Sequence, residues 1–276
     1  MSSDLEARIR ACYSTWSRSY YDEYYGKDAS YPPVQRELVK ELLRDAGATS
    51  LLDAGCGPAS LLRELAGDEL RLAGFDATPE MVAEARRVLG DRAELWEGSV
   101  LDPEAFRPGA LYDAAICVGV LPHVPPEADA QVVASLRDAV VPGGLVVAEA
   151  RNQLFALFTL NRYTYELFRD ELIRTDDEER LAALRELVRM DLPPVRRGKQ
   201  GEPGYDEVLS RTHNPFELRA AFEAAGLGDV RTLFYHYHDV PPLLGPSAEA
   251  SLALEDPLDW RGHFMASAFL VAGRRA

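Results

Sequence analysis

Ser50-Leu51-Leu52-Asp53-Ala54-Gly55-Cys56-Gly57-Pro58-Ala59-Ser60 is the stretch on which the fold turns. Its first residues make a short apolar run, and such a run closed by turn residues reads as a buried strand. Two glycines follow, where the backbone must bend sharply and lie close to a ligand, and residues 60–66 then show helical spacing. Strand, glycine turn and helix in that order put the turn at the carboxyl edge of a parallel sheet, where such sheets hold cofactors. The dinucleotide fingerprint GxGxxG is met only in part, because Ser60 stands where its third glycine belongs. Asp53 departs from it further: a carboxylate two positions before the first glycine opposes a pyrophosphate and attracts a cation.

Outward from this loop, short apolar runs at 71–76, 93–97, 112–118 and 144–150 alternate with helical patterns at 79–88 and 128–139. That alternation predicts an α/β sheet with helices on both faces. Pro142-Gly143-Gly144 is a tight turn into the fifth strand. The alternation lapses over 151–212, a mostly helical insertion that includes a polar, glycine-bearing loop at 193–205. It resumes where Asn214-Pro215 opens a helix over 215–225, stopped by Gly226, with strands expected at 229–238 and 264–272. The organisation expected is an N-terminal helical lid segment (1–46), a cofactor-binding core (47–150), a helical substrate-lid insertion (151–212) and a C-terminal completion of the sheet (213–276).

Composition narrows the function. Lys and Arg number 30 against 45 Asp and Glu, a net charge of −15 that repels a nucleic-acid backbone. No apolar run approaches the roughly 20 residues of a membrane span, and the first ten residues are charged without an apolar signal core, so a cytoplasmic protein without membrane insertion is expected. Cys12, Cys56 and Cys117 are odd in number and show no CxxC spacing, which suggests neither a disulfide framework nor a zinc cluster.

Asp76 closes the second strand about 20 residues after the glycine loop, the separation of a carboxylate that accepts from both ribose hydroxyls. Together Asp53 and Asp76 favour S-adenosylmethionine, whose ammonium and sulfonium suit an acid where a pyrophosphate does not. Here the sequence resembles the class I S-adenosylmethionine-dependent methyltransferases over residues 50–150. Leu51-Leu52-Asp53-Ala54-Gly55-Cys56-Gly57 stands as their first motif and Gly74-Phe75-Asp76 as the acidic ribose motif. The resemblance continues at Glu97-Gly98-Ser99-Val100-Leu101-Asp102, at Tyr112-Asp113 through Gly119-Val120-Leu121-Pro122-His123, and at Val141-Pro142-Gly143-Gly144. It departs at Ala59, where a last loop glycine is usual, and at Ser99, where many members have an aspartate; Asp102 is a possible substitute. The implied fold is a Rossmann-like, seven-stranded, mostly parallel sheet with its last strand antiparallel. Asp53, Gly55, Gly57, Asp76, Ala77, Met81, Ser99, Val100 and Val118 are the implied cofactor residues, with Met81 packing on the adenine face or simply filling core.

Tyr20 and Tyr24, and Tyr21 and Tyr25, lie four apart, so each pair shares one side of a helix that either covers a flat ligand or packs on the body. Tyr21 is taken as the cofactor contact. For the acceptor side, His123 follows the fourth strand and is a candidate base. His213 joins it, as do His236 and His238, which a regular strand places on one face. Such a pair can hold a hydroxyl, position an anion, bind a metal or merely satisfy itself; no third ligand is evident, so no metal is expected. Asn161, Arg162 and Tyr163 are the expected substrate contacts within the insertion, while Arg196, Arg197 and Lys199 form a short basic run that either attracts an anion or is solvated. Residues 154–160 are apolar and pack the lid or a dimer contact, leaving monomer or homodimer open. The function expected is methyl transfer from S-adenosylmethionine to a small-molecule hydroxyl, of a sugar or a secondary metabolite. N-methylation of an amine, a noncatalytic cofactor-binding module and a nicotinamide oxidoreductase are the competing readings, the last disfavoured by Asp53 and Ser60.

Overall fold

Leu51 and Leu52 turn to opposite faces of a central sheet, and the helices that cover those faces come from different parts of the chain. The computed structural model describes residues 2–26, 34–66, 70–107, 111–190, 204, 208–245, 247–248 and 256–276. The expected loop at 193–205, with Arg196, Arg197 and Lys199, lies outside the described residues but for position 204.

Seven strands, β1 (Ser50–Ala54), β2 (Arg71–Asp76), β3 (Ala93–Glu97), β4 (Tyr112–Cys117), β5 (Val140–Arg151), β6 (Leu227–Tyr237) and β7 (Ala266–Arg275), form one sheet in the order β3-β2-β1-β4-β5-β7-β6. β1 to β5 run parallel, whereas β7 is antiparallel to both β5 and β6. This is the expected Rossmann-like sheet with its last strand reversed. All five residues of β1 are buried, as a strand covered on both faces requires.

One face packs Leu52, Phe75, Ala115, Val146 and Phe269 against α6 (Asp129–Asp138) and α10 (Pro215–Ala224), through Val133, Leu136, Leu218 and Phe222. The other packs Leu51, Leu72, Ile116, Val147 and Leu270 against α3 (Val34–Ala46), α4 (Ser60–Leu65) and α5 (Pro79–Leu89). Asn214 caps α10 by accepting from the Phe216 N–H at 3.0 Å, with Pro215 in the first turn, as its sequence predicts. Two helices precede the sheet, α1 (Ser2–Ser14) and the short α2 (Tyr20–Tyr24); Cys12 and Trp16 pack with Met81 of α5. Between β5 and α10 the chain makes α7 (Ala156–Thr159), α8 (Arg162–Leu167) and α9 (Glu178–Leu187). No helix of the described residues is long and apolar enough to cross a membrane.

The departure at Ala59 has a local consequence. This residue, fully buried before α4, adopts a left-handed φ of 60°, which costs an L side chain roughly 1–2 kcal/mol. Part of the relief that glycine would bring is offset by its freer unfolded state. Ala59→Gly is therefore expected to stabilise the fold by about 1 kcal/mol, an upward shift in thermal midpoint that scanning calorimetry reads directly.

Candidate functional site

At the carboxyl ends of β1, β2 and β4 a cleft opens. The sheet supplies its floor: Asp53, Gly55 and Gly57 from the β1 turn, Asp76 and Ala77 from the end of β2, and Val118 after β4. Met81 on α5, Ser99 and Val100 after β3, and His123 also line it. The sequence pattern points to Asp53, Gly55, Gly57 and Asp76, each at a strand end or the turn after it, and to His123; the resemblance implies Ala77, Met81, Ser99, Val100 and Val118.

Asp53 is 2% exposed, and no hydrogen bond reaches its carboxylate among the described residues. Burial, with the nearby Asp76 charge adding to it, pushes its pKa up to about 8. Asp76 is placed differently. One carboxylate oxygen accepts from the Gly57 N–H at 3.0 Å and the other from the Thr78 N–H at 2.8 Å. Burial raises its pKa as well, and those two amides pull in the opposite direction. An orphaned buried carboxylate and a braced one thus stand on adjacent strands, the first short of a cation and the second fixed in orientation with lone pairs to spare.

His123 is held at both ring nitrogens. Nδ1 lies 2.6 Å from the Leu209 carbonyl and Nε2 lies 2.7 Å from the Tyr13 hydroxyl. A carbonyl only accepts, so Nδ1 carries the proton and Nε2 accepts from Tyr13. Burial pushes the imidazole pKa down to about 4, which keeps the ring neutral. Tyr13 itself lines the cleft, with Tyr20 and Tyr25.

Several expected site residues lie elsewhere. Tyr21 is turned away from the cleft: its hydroxyl donates to Glu64 at 2.6 Å and the Arg63 guanidinium covers its ring at 4.0 Å. The expected pairing of rings four apart does occur, Tyr20 on Tyr24 at 4.5 Å and Tyr21 on Tyr25 at 5.9 Å, but Tyr20 and Tyr25 are the members that reach the cleft. His213 is buried 3.6 Å from Asp129, outside the cleft lining. His236 and His238 do not share a strand face, because His236 takes a left-handed φ of 56° and the alternation breaks there. Tyr235 consequently packs on one side of the sheet and Tyr237 on the other. His238 falls beyond β6, against the Phe155 ring at 4.7 Å, with its Nε2 buried and unpartnered and burial pushing its pKa down to about 4.

The insertion residues are structural where they stand. Asn161 caps α8, accepting from the Tyr163 N–H at 2.9 Å; Arg162 pairs with Glu166 at 3.1 Å; Tyr163 is exposed. None of the three lines the cleft. Asp102 caps a following 3₁₀ turn by accepting from the Glu104 N–H at 3.0 Å, so it is engaged locally, while Ser99 reaches the cleft.

Tyr13, Leu209 and Glu149 were missed. For Tyr13 a signal existed: Leu5, Ile9 and Tyr13 recur at four-residue spacing on α1, and all three line the cleft. Glu149 of β5 accepts from the Tyr235 hydroxyl and the Gly119 N–H, partners that no local spacing reveals.

Residues 51–144 match the model of a methyltransferase domain. A ubiquinone biosynthesis O-methyltransferase of Xanthomonas euvesicatoria pv. vesicatoria (strain 85-10) is 35% identical over 132 residues, 46% of this chain and 53% of that one. The dTDP-3-amino-3,4,6-trideoxy-alpha-D-glucopyranose N,N-dimethyltransferase of Streptomyces venezuelae is 34% identical over 137 residues, 47% of this chain and 54% of that one. The chain thus spans about half the length of these curated relatives. Among solved structures, a complex of DhpI with SAH aligns with a TM-score of 0.57 at 19% identity, covering 100% of this chain and 99% of that one, a likeness of fold. The match identifies residues 51–144 as a methyltransferase domain, and Asp53 and Asp76, which line the cleft, lie within it.

Proposed function

We propose that the protein transfers a methyl group from S-adenosylmethionine to the hydroxyl of a small molecule, a phenolic or enolic secondary metabolite before a sugar. The observation that supports this reading is the Tyr13 phenol hydrogen-bonded to His123 Nε2 at the cleft: a hydroxyl already stands beside a neutral proton acceptor there, and an acceptor hydroxyl would take the place of Tyr13 at that nitrogen. Asp53 would face the cofactor's cationic end, Asp76 its ribose, and Met81, Ser99 and Val100 its adenine. When bound, S-adenosylmethionine would supply an electrophilic methyl on sulfonium, its leaving group a neutral thioether. His123 Nε2 would take the proton of the acceptor hydroxyl, and the Leu209 carbonyl would steady the resulting imidazolium through Nδ1–H. A base held near pKa 4 suits a phenol or enol better than an alkyl alcohol, which argues for the metabolite over the sugar.

N-methylation is the second reading. Three carboxylates, Glu6, Asp53 and Asp76, line the cleft, and no Lys or Arg does so among the described residues, an environment that also suits an amine. Methyl-labelled S-adenosylmethionine offered with catechol, methyl glucoside and benzylamine separates the cases: label in catechol is expected. His123→Gln should lower that turnover about 100-fold and leave cofactor affinity within twofold. Labelling of benzylamine alone, or full turnover in the variant, would overturn the hydroxyl reading.

A further inference from the structure

His123 is bracketed by one arginine. The Arg211 backbone N–H donates to the Pro122 carbonyl at 3.0 Å, and its side-chain Nε donates to the Val124 carbonyl at 2.6 Å, so the residues on either side of His123 are both tied to it. The far end of the guanidinium pairs with Asp129 at the start of α6. Two residues before Arg211 stands Leu209, whose carbonyl meets His123 Nδ1; two residues after it, the His213 N–H donates to the Arg151 carbonyl at 2.8 Å and locks the segment to the end of β5. The segment 209–213 is therefore a strap across the 120–124 turn, and the planar guanidinium, which donates in two directions at once, is its clasp.

We infer that Arg211 is a positioning residue for His123: by clasping the strap to the turn it holds the Leu209 carbonyl against Nδ1 and so keeps Nε2 unprotonated, the acceptor of the Tyr13 hydroxyl at the cleft. Without the carbonyl, a neutral imidazole is free to carry its proton on Nε2, where it has nothing to accept with. Among the described residues, Tyr13 from α1 and Arg151 from β5 are charged or titratable groups that act on the ring. The inference gives a role to the return of the insertion, and its value for catalysis rests on the proposed base; the state of the ring does not.

The ring nitrogens of the full chain, labelled with ¹⁵N-histidine and saturated with S-adenosylhomocysteine, report the tautomer directly. The chain's five histidines are few enough to assign by single substitutions. Wild type is expected to show His123 as the Nδ1–H form, and Arg211→Met to show a mixture or the Nε2–H form, with S-adenosylhomocysteine affinity within threefold. Arg211→Lys, which keeps the charge and loses the fork, should behave like Arg211→Met. An Nε2–H tautomer in wild type, or an unchanged Nδ1–H tautomer in a folded Arg211 variant, overturns the inference. Should Arg211→Met not fold, Arg211→Lys and the wild-type spectrum still decide it. If the tautomer shifts as expected but His123→Gln keeps full turnover of catechol, the base reading has failed and the positioning stands. With the base reading intact, turnover in Arg211→Met falls about 100-fold, and the double variant with His123→Gln falls no further, since both changes remove one function.

Discussion

Asp53→Asn is expected to weaken S-adenosylmethionine binding about 100- to 4000-fold at pH 8, because removing one partner of a buried ion pair costs about 3–5 kcal/mol. The size follows from the site: a carboxylate 2% exposed, with no hydrogen bond to its oxygens among the described residues, has only an incoming cation to face. The same isolation makes binding depend on pH. In the empty protein Asp53 holds its proton up to a pH of about 8, and a sulfonium or ammonium beside it favours the ionised form, so binding expels the proton. Affinity therefore rises with pH below about 8, by about tenfold per unit for each proton released, and levels off above. Asp53→Asn removes this slope. Calorimetry in buffers of different ionisation enthalpy counts the proton. Binding by Asp53→Asn within threefold of wild type at pH 8, or an affinity flat from pH 6 to 8, would sink the assignment.

Stability moves the other way. Between the ordinary carboxylate range and pH 8 the folded empty protein binds more protons at Asp53 than the unfolded chain does, so it loses stability as pH rises through that interval. Asp53→Asn should flatten this loss and melt above wild type at pH 8 when no cofactor is present. The acid that serves binding is thus a burden on the empty fold, a common condition of functional groups held ready for a ligand.

The same contrast between local and long-range determinants explains what could be read from the sequence. Asp53, Gly55, Gly57 and Asp76 are legible because each stands at a strand end, and the alternation of strands and helices fixes where strand ends meet. Met81, Ser99, Val100 and Val118 come from the family resemblance, and all line the cleft. The acceptor side is another matter. Tyr13 reaches His123 across 110 positions of sequence and Leu209 across 86, and no spacing rule spans such distances. His236 and His238 misled because period-two alternation assumes an unbroken strand, and a left-handed residue at 236 breaks it. Asn161, expected as a substrate contact, caps a helix by accepting from the Tyr163 N–H, a local role that a three-residue pattern does not distinguish from a ligand's.

Gly55 and Gly57 stand two residues apart in one loop, both with left-handed backbone, yet their replacement by alanine should fail in different ways. At Gly55, φ is +82° and an added Cβ would lie 2.3 Å from Val120 Cγ2, inside any tolerable contact. The backbone strain costs roughly 1–2 kcal/mol and the overpacking about 1–3 kcal/mol, so Gly55→Ala should lower the thermal midpoint on the order of 10 °C. Val120→Ala removes the offending methyls and should recover the packing share of that loss but not the strain, a coupling that a double-mutant cycle measures. At Gly57, φ is +54° and no heavy atom lies within 4 Å of the added carbon. Gly57→Ala should therefore cost only about 1 kcal/mol of stability, while its methyl enters the space the proposed cofactor needs and reduces affinity for S-adenosylmethionine at least about tenfold, the equivalent of 1.4 kcal/mol. Thermal melts with and without cofactor separate the two: the first variant is unstable in both, the second loses chiefly the stabilisation that cofactor brings. Equal losses of stability at the two positions would show that the loop's glycines serve the backbone alone, and would remove Gly57 from the cofactor site.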